Sequence, residues 1–168
     1  MRRKVNMHRM GLSAVLGAIG LCLFAGAALA AGPVTTLEQQ LDIWSAVIPQ
    51  VEKNPATALA SLPSLIPQYG NWCGLGTTAF NAPAVDDVDC ACRSHDQSPG
   101  YSSPLPTLEQ VVRADRQFVA DLSQAAASTP YGELYREGAI QVMEAKTTYE
   151  QANQTILLGG CSDCRNIQ

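Results

Sequence analysis

The chain has 168 residues, 46% of them hydrophobic and 15% charged, with 13 Gly, 10 Pro and six Cys. That apolar fraction excludes a disordered polymer, and the Gly and Pro counts exclude a fibrous repeat. Acids outnumber bases fifteen to eleven, a poor balance for a nucleic-acid binder, which needs clustered cations to displace counterions.

The first thirty residues read as a leader. Arg2, Arg3, Lys4 and Arg9 are basic with no acid among them, an apolar run follows from Met10 to Leu29, and Ala28-Leu29-Ala30 closes it. A positive start, an apolar middle and an A-x-A end predict an export signal over residues 1–30, cleaved after Ala30, with an uncleaved anchor as the rival reading. Residues 31–168 then form one domain. Cleavage would take four of the eleven basic residues, leaving seven against fifteen acids, a net charge of −8. Electrostatic docking on anionic membranes is disfavoured by that charge, and a bound divalent cation is favoured. A secreted destination, extracellular or periplasmic, is oxidising, so cysteines are expected to pair. Cys73, Cys90, Cys92, Cys161 and Cys164 are an odd set. One must stay free or pair outside the chain, unless a metal holds several.

Thr35 and Glu38 have capping-box spacing, and Leu37, Leu41, Trp44, Ile48 and Val51 recur at helical steps until Asn54-Pro55. Pro63 and Pro67 break the apolar stretch that follows, and residues 69–83 turn to Gly, Asn and Thr, a loop composition. A helix is predicted over Val85–Ser98, stopped by Pro99-Gly100. Thr107 with Gln110 opens another, running to Ala127. Pro130 suits the first turn of a long last helix, which Gly159-Gly160 ends. No segment sustains period-two alternation. The expected fold is all-α: a small disulfide-stabilised domain whose centre is the antiparallel pair Val85–Ser98 and Thr107–Ala127.

Chemistry concentrates in two segments, Tyr69-Gly70-Asn71-Trp72-Cys73-Gly74-Leu75-Gly76 and Asp86-Asp87-Val88-Asp89-Cys90-Ala91-Cys92-Arg93-Ser94-His95-Asp96. On a helix, Cys92, His95 and Asp96 share one broad face. A Cys73–Cys92 disulfide would staple the glycine loop beside them. Glycines let a loop turn several carbonyls inward, and carbonyls plus a carboxylate make a hard-oxygen cage suited to Ca²⁺. His95 beside the cage could act as general base. Asp115 falls on the apolar line Leu108, Val111, Val112, Phe118, Leu122, where a carboxylate is costly unless paired. His95 is one partner; Arg113 or Arg116 is the plainer one.

These residues resemble secreted phospholipase A2: Tyr-Gly-x-x-Cys-Gly-x-Gly, then Pro-x-x-Asp-Asp-x-Asp, then Cys-x-x-His-Asp, matched from Tyr69 to Asp96 and extended by Asp115. The resemblance implies calcium-dependent hydrolysis of the sn-2 ester of glycerophospholipids presented in aggregates or a membrane surface. His95 would activate water, and Asp115 would hold its imidazole. Asp96 and the carbonyls of Trp72, Gly74 and Gly76 would bind Ca²⁺, and the Gly74 N–H would assist the oxyanion. Ala91 replaces a cysteine common in the family. Pro99 stands where many members have a tyrosine, with Tyr101 and Tyr131 as candidate substitutes.

Three other readings compete. Cys90, Cys92 and His95 with Cys161 and Cys164 have zinc-ligand spacings, though that set strands Cys73. Cys161-Ser162-Asp163-Cys164 could be a redox dithiol, but it follows the last helix rather than opening one after a strand. A non-catalytic, calcium-dependent lipid or protein binder on the same scaffold is the alternative function; such binders usually lose the His or the metal-binding Asp, and both are present here. Leu62, Leu65, Ile66, Trp72, Leu75 and Phe80 would supply either an apolar rim for a lipid interface or ordinary core.

Overall fold

Thr36, not Thr35, opens the first helix. Its hydroxyl accepts from the Gln39 N–H at 3.2 Å while the Gln39 side chain accepts from the Thr36 N–H at 2.8 Å. The predicted box, Thr35 with Glu38, is displaced by one residue, and the Thr36–Gln39 pair forms it instead. In this computed structural model the residues described are 36–61, 67–74 and 81–161. They form α1 (Leu37–Lys53), α2 (Pro55–Ser61), α3 (Asp87–Asp96), α4 (Pro99–Ser102), α5 (Leu108–Gln124) and α6 (Pro130–Asn153). Among the described residues there is no strand, only an isolated bridge between Tyr69 and Cys73. No helix among them is long and apolar enough to cross a membrane. The leader, Leu62, Leu65, Ile66, Leu75, Gly76, Phe80 and Cys164 lie outside the described residues.

The domain is mainly helical, as expected, but the faces and ends of its helices differ from the sequence pattern. On α1 the buried line is Gln40, Trp44, Val47 and Val51, while Leu37 and Leu41 are 45% and 48% exposed. The helix is turned from the predicted face because α6 offers Trp44 a seat over Gly138, beside the edge of Tyr135 at 5.7 Å between ring centroids. Both prolines expected only to end helices also begin short ones. Pro55 starts α2 behind the Asn54 side chain, which accepts from the Thr57 N–H, and Pro99 starts α4. A proline at the first helical position has no N–H to leave unpaired, so it serves both as stop and start.

α5 keeps its predicted capping box, Thr107 with Gln110, and ends at Gln124. α6 ends at Asn153, six residues before the predicted Gly159-Gly160, because Gln154 takes the left-handed conformation (φ 52°). The chain beyond it is then gathered back: Leu157 and Leu158 donate their N–H groups to the Glu150 carboxylate at 2.7 and 3.3 Å. Gly160 and Cys161 follow with N–H bonds to the carbonyls of Gly100 and Ser103, strapping the segment over α4.

The helices pack around α5 and α6. α5 lies against α3, α4 and α6, and α6 carries α1 and α2 on another side. Asp87, at the start of α3, meets the Ala126 N–H just past α5, and His95, near its end, meets Asp115 in the middle of α5. The core joins Trp44, Leu59, Trp72, Phe118, Leu122 and Tyr135.

Candidate active site

The glycine loop is built on Asp89. This carboxylate is fully buried on the first turn of α3 and accepts N–H bonds from Asn71 (3.1 and 3.0 Å), Trp72 (2.8 Å) and Val85 (3.0 Å). Burial pushes its pKa up, although the three N–H donors oppose the shift. Gly70, at φ +60°, brings the loop so close that a Cβ there would lie 2.3 Å from the Asp89 carboxyl carbon. The neighbouring Asp86 caps α3 through the Asp89 N–H and also accepts from the Tyr69 hydroxyl and from both the N–H and hydroxyl of Ser128. The acidic run is therefore scaffolding that ties loop, helix and the α5–α6 turn together. It is not a cation cage.

Cys73 is bonded to Cys92, as the sequence suggested, with the two Cα atoms 5.1 Å apart. Cys90 and Cys161 are disulfide-bonded too, and no described cysteine is a free thiol. That removes the zinc reading, since neither Cys90 nor Cys92 has a thiolate to offer. The pairing of Cys164 falls outside the described residues. Trp72, a candidate rim residue, is 5% exposed, with its indole N–H on the Ala82 carbonyl and the Arg93 guanidinium over its ring.

One turn beyond Cys92, His95 is buried between the rings of Tyr101 and Phe118, at 3.9 and 4.5 Å between centroids. Its Nε2 meets Asp115 Oδ1 at 3.0 Å, and its Nδ1 faces Asp96 Oδ1 at 3.7 Å. Arg113 turns instead to Glu109, and Arg116 to Gln151, so the plainer partners for Asp115 are engaged elsewhere. Tyr101 donates to the same Asp115 oxygen at 2.6 Å, which makes it the tyrosine of this site; Tyr131 bonds the Gln68 carbonyl. Gly100 permits this, because a Cβ there would come within 2.7 Å of the α5 backbone at Gln110 and hold α4 away.

Two charged residues of the site were not singled out in the sequence. Lys146 and Glu150, both fully buried on α6, are joined at 2.9 Å, and Lys146 Nζ reaches Asp115 Oδ2 at 2.6 Å, where Thr147 also donates at 3.3 Å. The signal was present: Lys146 and Glu150 continue the buried line Tyr135, Ala139, Val142 at helical steps. A buried carboxylate on one helix asks for a buried cation on another.

The charges fix the proton positions. Burial would raise the Asp115 pKa, but the His95 hydrogen bond, the Lys146 charge and the Tyr101 hydroxyl hold it below the usual carboxylate range. An ionised Asp115 only accepts, so Nε2 of His95 carries a hydrogen toward it, and Nδ1 faces Asp96. Burial lowers the His95 pKa, yet the Asp115 hydrogen bond and the nearby Asp96 carboxylate outweigh it and the net shift is upward. The Tyr101 hydroxyl is pushed well up by burial and by Asp115, so it remains a donor. Tyr135 is raised likewise, by burial and then by Asp96, with the Gly74 backbone opposing.

Asp96 differs from the other site carboxylates. Its side chain is 38% exposed, and among the described residues it accepts no hydrogen bond shorter than the 3.7 Å approach of His95. Family models, curated proteins and solved structures contain no match to this chain.

Proposed function

We propose that this chain is a calcium-dependent carboxylic ester hydrolase, and more particularly a phospholipase A2 that cleaves the sn-2 ester of glycerophospholipids into a fatty acid and a lysophospholipid. The observation that carries the reading is the His95–Asp115 pair with Nδ1 facing Asp96, a partly exposed carboxylate that accepts no closer hydrogen bond among the described residues. A base whose far nitrogen is held by a buried anion, and whose near nitrogen opens toward a candidate metal ligand, is built to activate water.

The residues fit Ca²⁺. Asp96 supplies a hard carboxylate oxygen that, among the described residues, accepts no donor closer than His95 at 3.7 Å. The Cys73–Cys92 bond ties the segment bearing the Trp72 and Gly74 carbonyls to a point one turn before Asp96. The Cys73 N–H bonds back to the Tyr69 carbonyl, so the trans peptide directs the Trp72 carbonyl away from Tyr69. Gly76 would complete the set. Bound there, Ca²⁺ supplies polarisation of the ester carbonyl and a counter-charge for the oxyanion. His95 Nδ1 takes the proton of the attacking water, Asp115 and Tyr101 keep the imidazole in the productive tautomer, and the Gly74 N–H donates to the developing oxyanion. The α3–α5 contact then serves as the antiparallel central pair of such an enzyme. Aggregated phospholipid is the proposed partner, reached after export.

The test is fatty-acid release from phosphatidylcholine vesicles with and without chelator. His95→Gln should lose about 10²-fold or more in rate while keeping the calcium-dependent melting shift. Asp96→Ala should lose both, that shift being worth about 2.7 kcal/mol at a hundredfold excess over the dissociation constant. Full activity in His95→Gln overturns the mechanism. An inactive wild type with a normal calcium shift assigns the chain to the binding alternative.

A further inference from the structure

We propose that Lys146 is a positioning residue for the His95–Asp115 pair, held in place by Glu150 and, through it, by the backbone strap that follows α6. The inference rests on the hydrolase reading for its kinetic arm only.

A carboxylate held at one oxygen alone does not fix the direction of its plane. Asp115 is fully buried, and His95 grips a single oxygen, Oδ1, which leaves the carboxylate plane free to swing about that one contact. Tyr101 adds a second donor to Oδ1; Oδ2 is held by Lys146 at 2.6 Å and only distantly by Thr147 at 3.3 Å. Lys146 is thus the short contact that fixes the far end of the plane, and with it the direction offered to Nε2. A lysine side chain has four rotatable bonds and anchors nothing unless it is itself anchored. Glu150 Oε2 supplies that anchor at 2.9 Å, and its other oxygen is fixed by the N–H groups of Leu157 and Leu158. The Tyr101 hydroxyl also approaches the Leu158 carbonyl at 3.3 Å, so the strap touches both sides of the carboxylate's support. An unbroken line of contacts runs from the Leu157 backbone through Glu150, Lys146 and Asp115 to the imidazole.

A buried Lys–Glu pair could instead serve only to dock α6 on α5, and buried ion pairs often contribute little net stability. The two roles separate in the double variant Lys146→Met, Glu150→Gln. It removes one buried cation and one buried anion, so the net buried charge is unchanged. The amide that replaces the Glu150 carboxylate keeps an oxygen to accept from Leu157 and Leu158, so the strap stays docked and folding is the expected result. Lys146→Met alone would leave two buried carboxylates uncompensated and is the less useful variant.

The ring N–H of His95, assigned by its absence in His95→Gln, should give a downfield, exchange-protected proton resonance in the wild type. In the double variant that resonance should shift and exchange faster. The kcat on phosphatidylcholine vesicles should fall by about tenfold or more, a part of what a positioned base supplies. KM and the calcium-dependent melting shift should stay as in the wild type. A folded double variant with an unchanged ring N–H resonance and wild-type kcat overturns the proposal. If the wild type releases no fatty acid, the phospholipase reading fails, and the resonance alone decides the role of Lys146.

Discussion

Gly70→Ala tests the joint between the glycine loop and α3. Two costs are legible. The residue sits at φ +60°, where an L side chain costs about 1–2 kcal/mol. The added Cβ would also lie 2.3 Å from the Asp89 carboxyl carbon and 2.5 Å from both its oxygens, so the carboxylate must move. Asp89 has nowhere neutral to go. It is fully buried and holds the N–H groups of Asn71, Trp72 and Val85. Breaking one such charge-assisted bond costs roughly 1.5–3 kcal/mol, giving a total of about 2.5–5 kcal/mol. For a domain of this size that is a fall in Tm of roughly 10–15 °C. Urea unfolding followed by far-ultraviolet circular dichroism, with calcium chelated, measures it. In an Asp89→Ala background the clash is gone, so Gly70→Ala should then cost only the backbone share, about 1–2 kcal/mol. A Gly70→Ala stability within about 0.5 kcal/mol of wild type, or a cost equal in both backgrounds, would refute the clash with Asp89.

Replacing Cys73 and Cys92 with serine opens a loop spanning 19 residues of sequence separation, which should cost about 3 kcal/mol. Non-reducing peptide mapping checks the bond, and a Tm unchanged by its removal would refute that cost. Tyr101→Phe removes a 2.6 Å donor from Asp115 and should destabilise the fold by about 1.5–3 kcal/mol, read by the same urea titration. A cost near zero would mean the hydroxyl does not support the carboxylate. The depressed Asp115 pKa also predicts a pH dependence. Its contribution is fully present above the ordinary value of 3.8 and is lost as pH falls through the lower folded value, so Asp115→Asn should flatten the Tm-versus-pH slope on the acid side. An acid limb as steep as the wild type's would remove Asp115 as a source of that stability.

Where the sequence was informative, the signal was local. The helical class followed from apolar periodicity and the absence of alternation, and the start of α5 from Thr107 and Gln110, which satisfy one another without outside help. The partnership of His95 with Asp115 was also foreshadowed, because a carboxylate on the Val111–Phe118 stripe had to find a buried donor and one imidazole stood at a matching helix end. The rest depended on docking between distant segments. The face α1 buries was set by the seat at Gly138, nearly a hundred residues away, so Leu37 and Leu41 stayed outside despite their hydrophobicity. α6 ended where Gln154 turned left-handed and the chain beyond was gathered back onto Glu150, not at the glycines that followed. Tyr101 rather than Tyr131 reached Asp115 because Gly100 let α4 close on α5. Periodicity and caps are properties of neighbouring residues and survive in the sequence. Which buried charge meets which is fixed only when helices pack, because the energy that selects the partner, the cost of an unpaired charge away from water, exists only in the assembled interior.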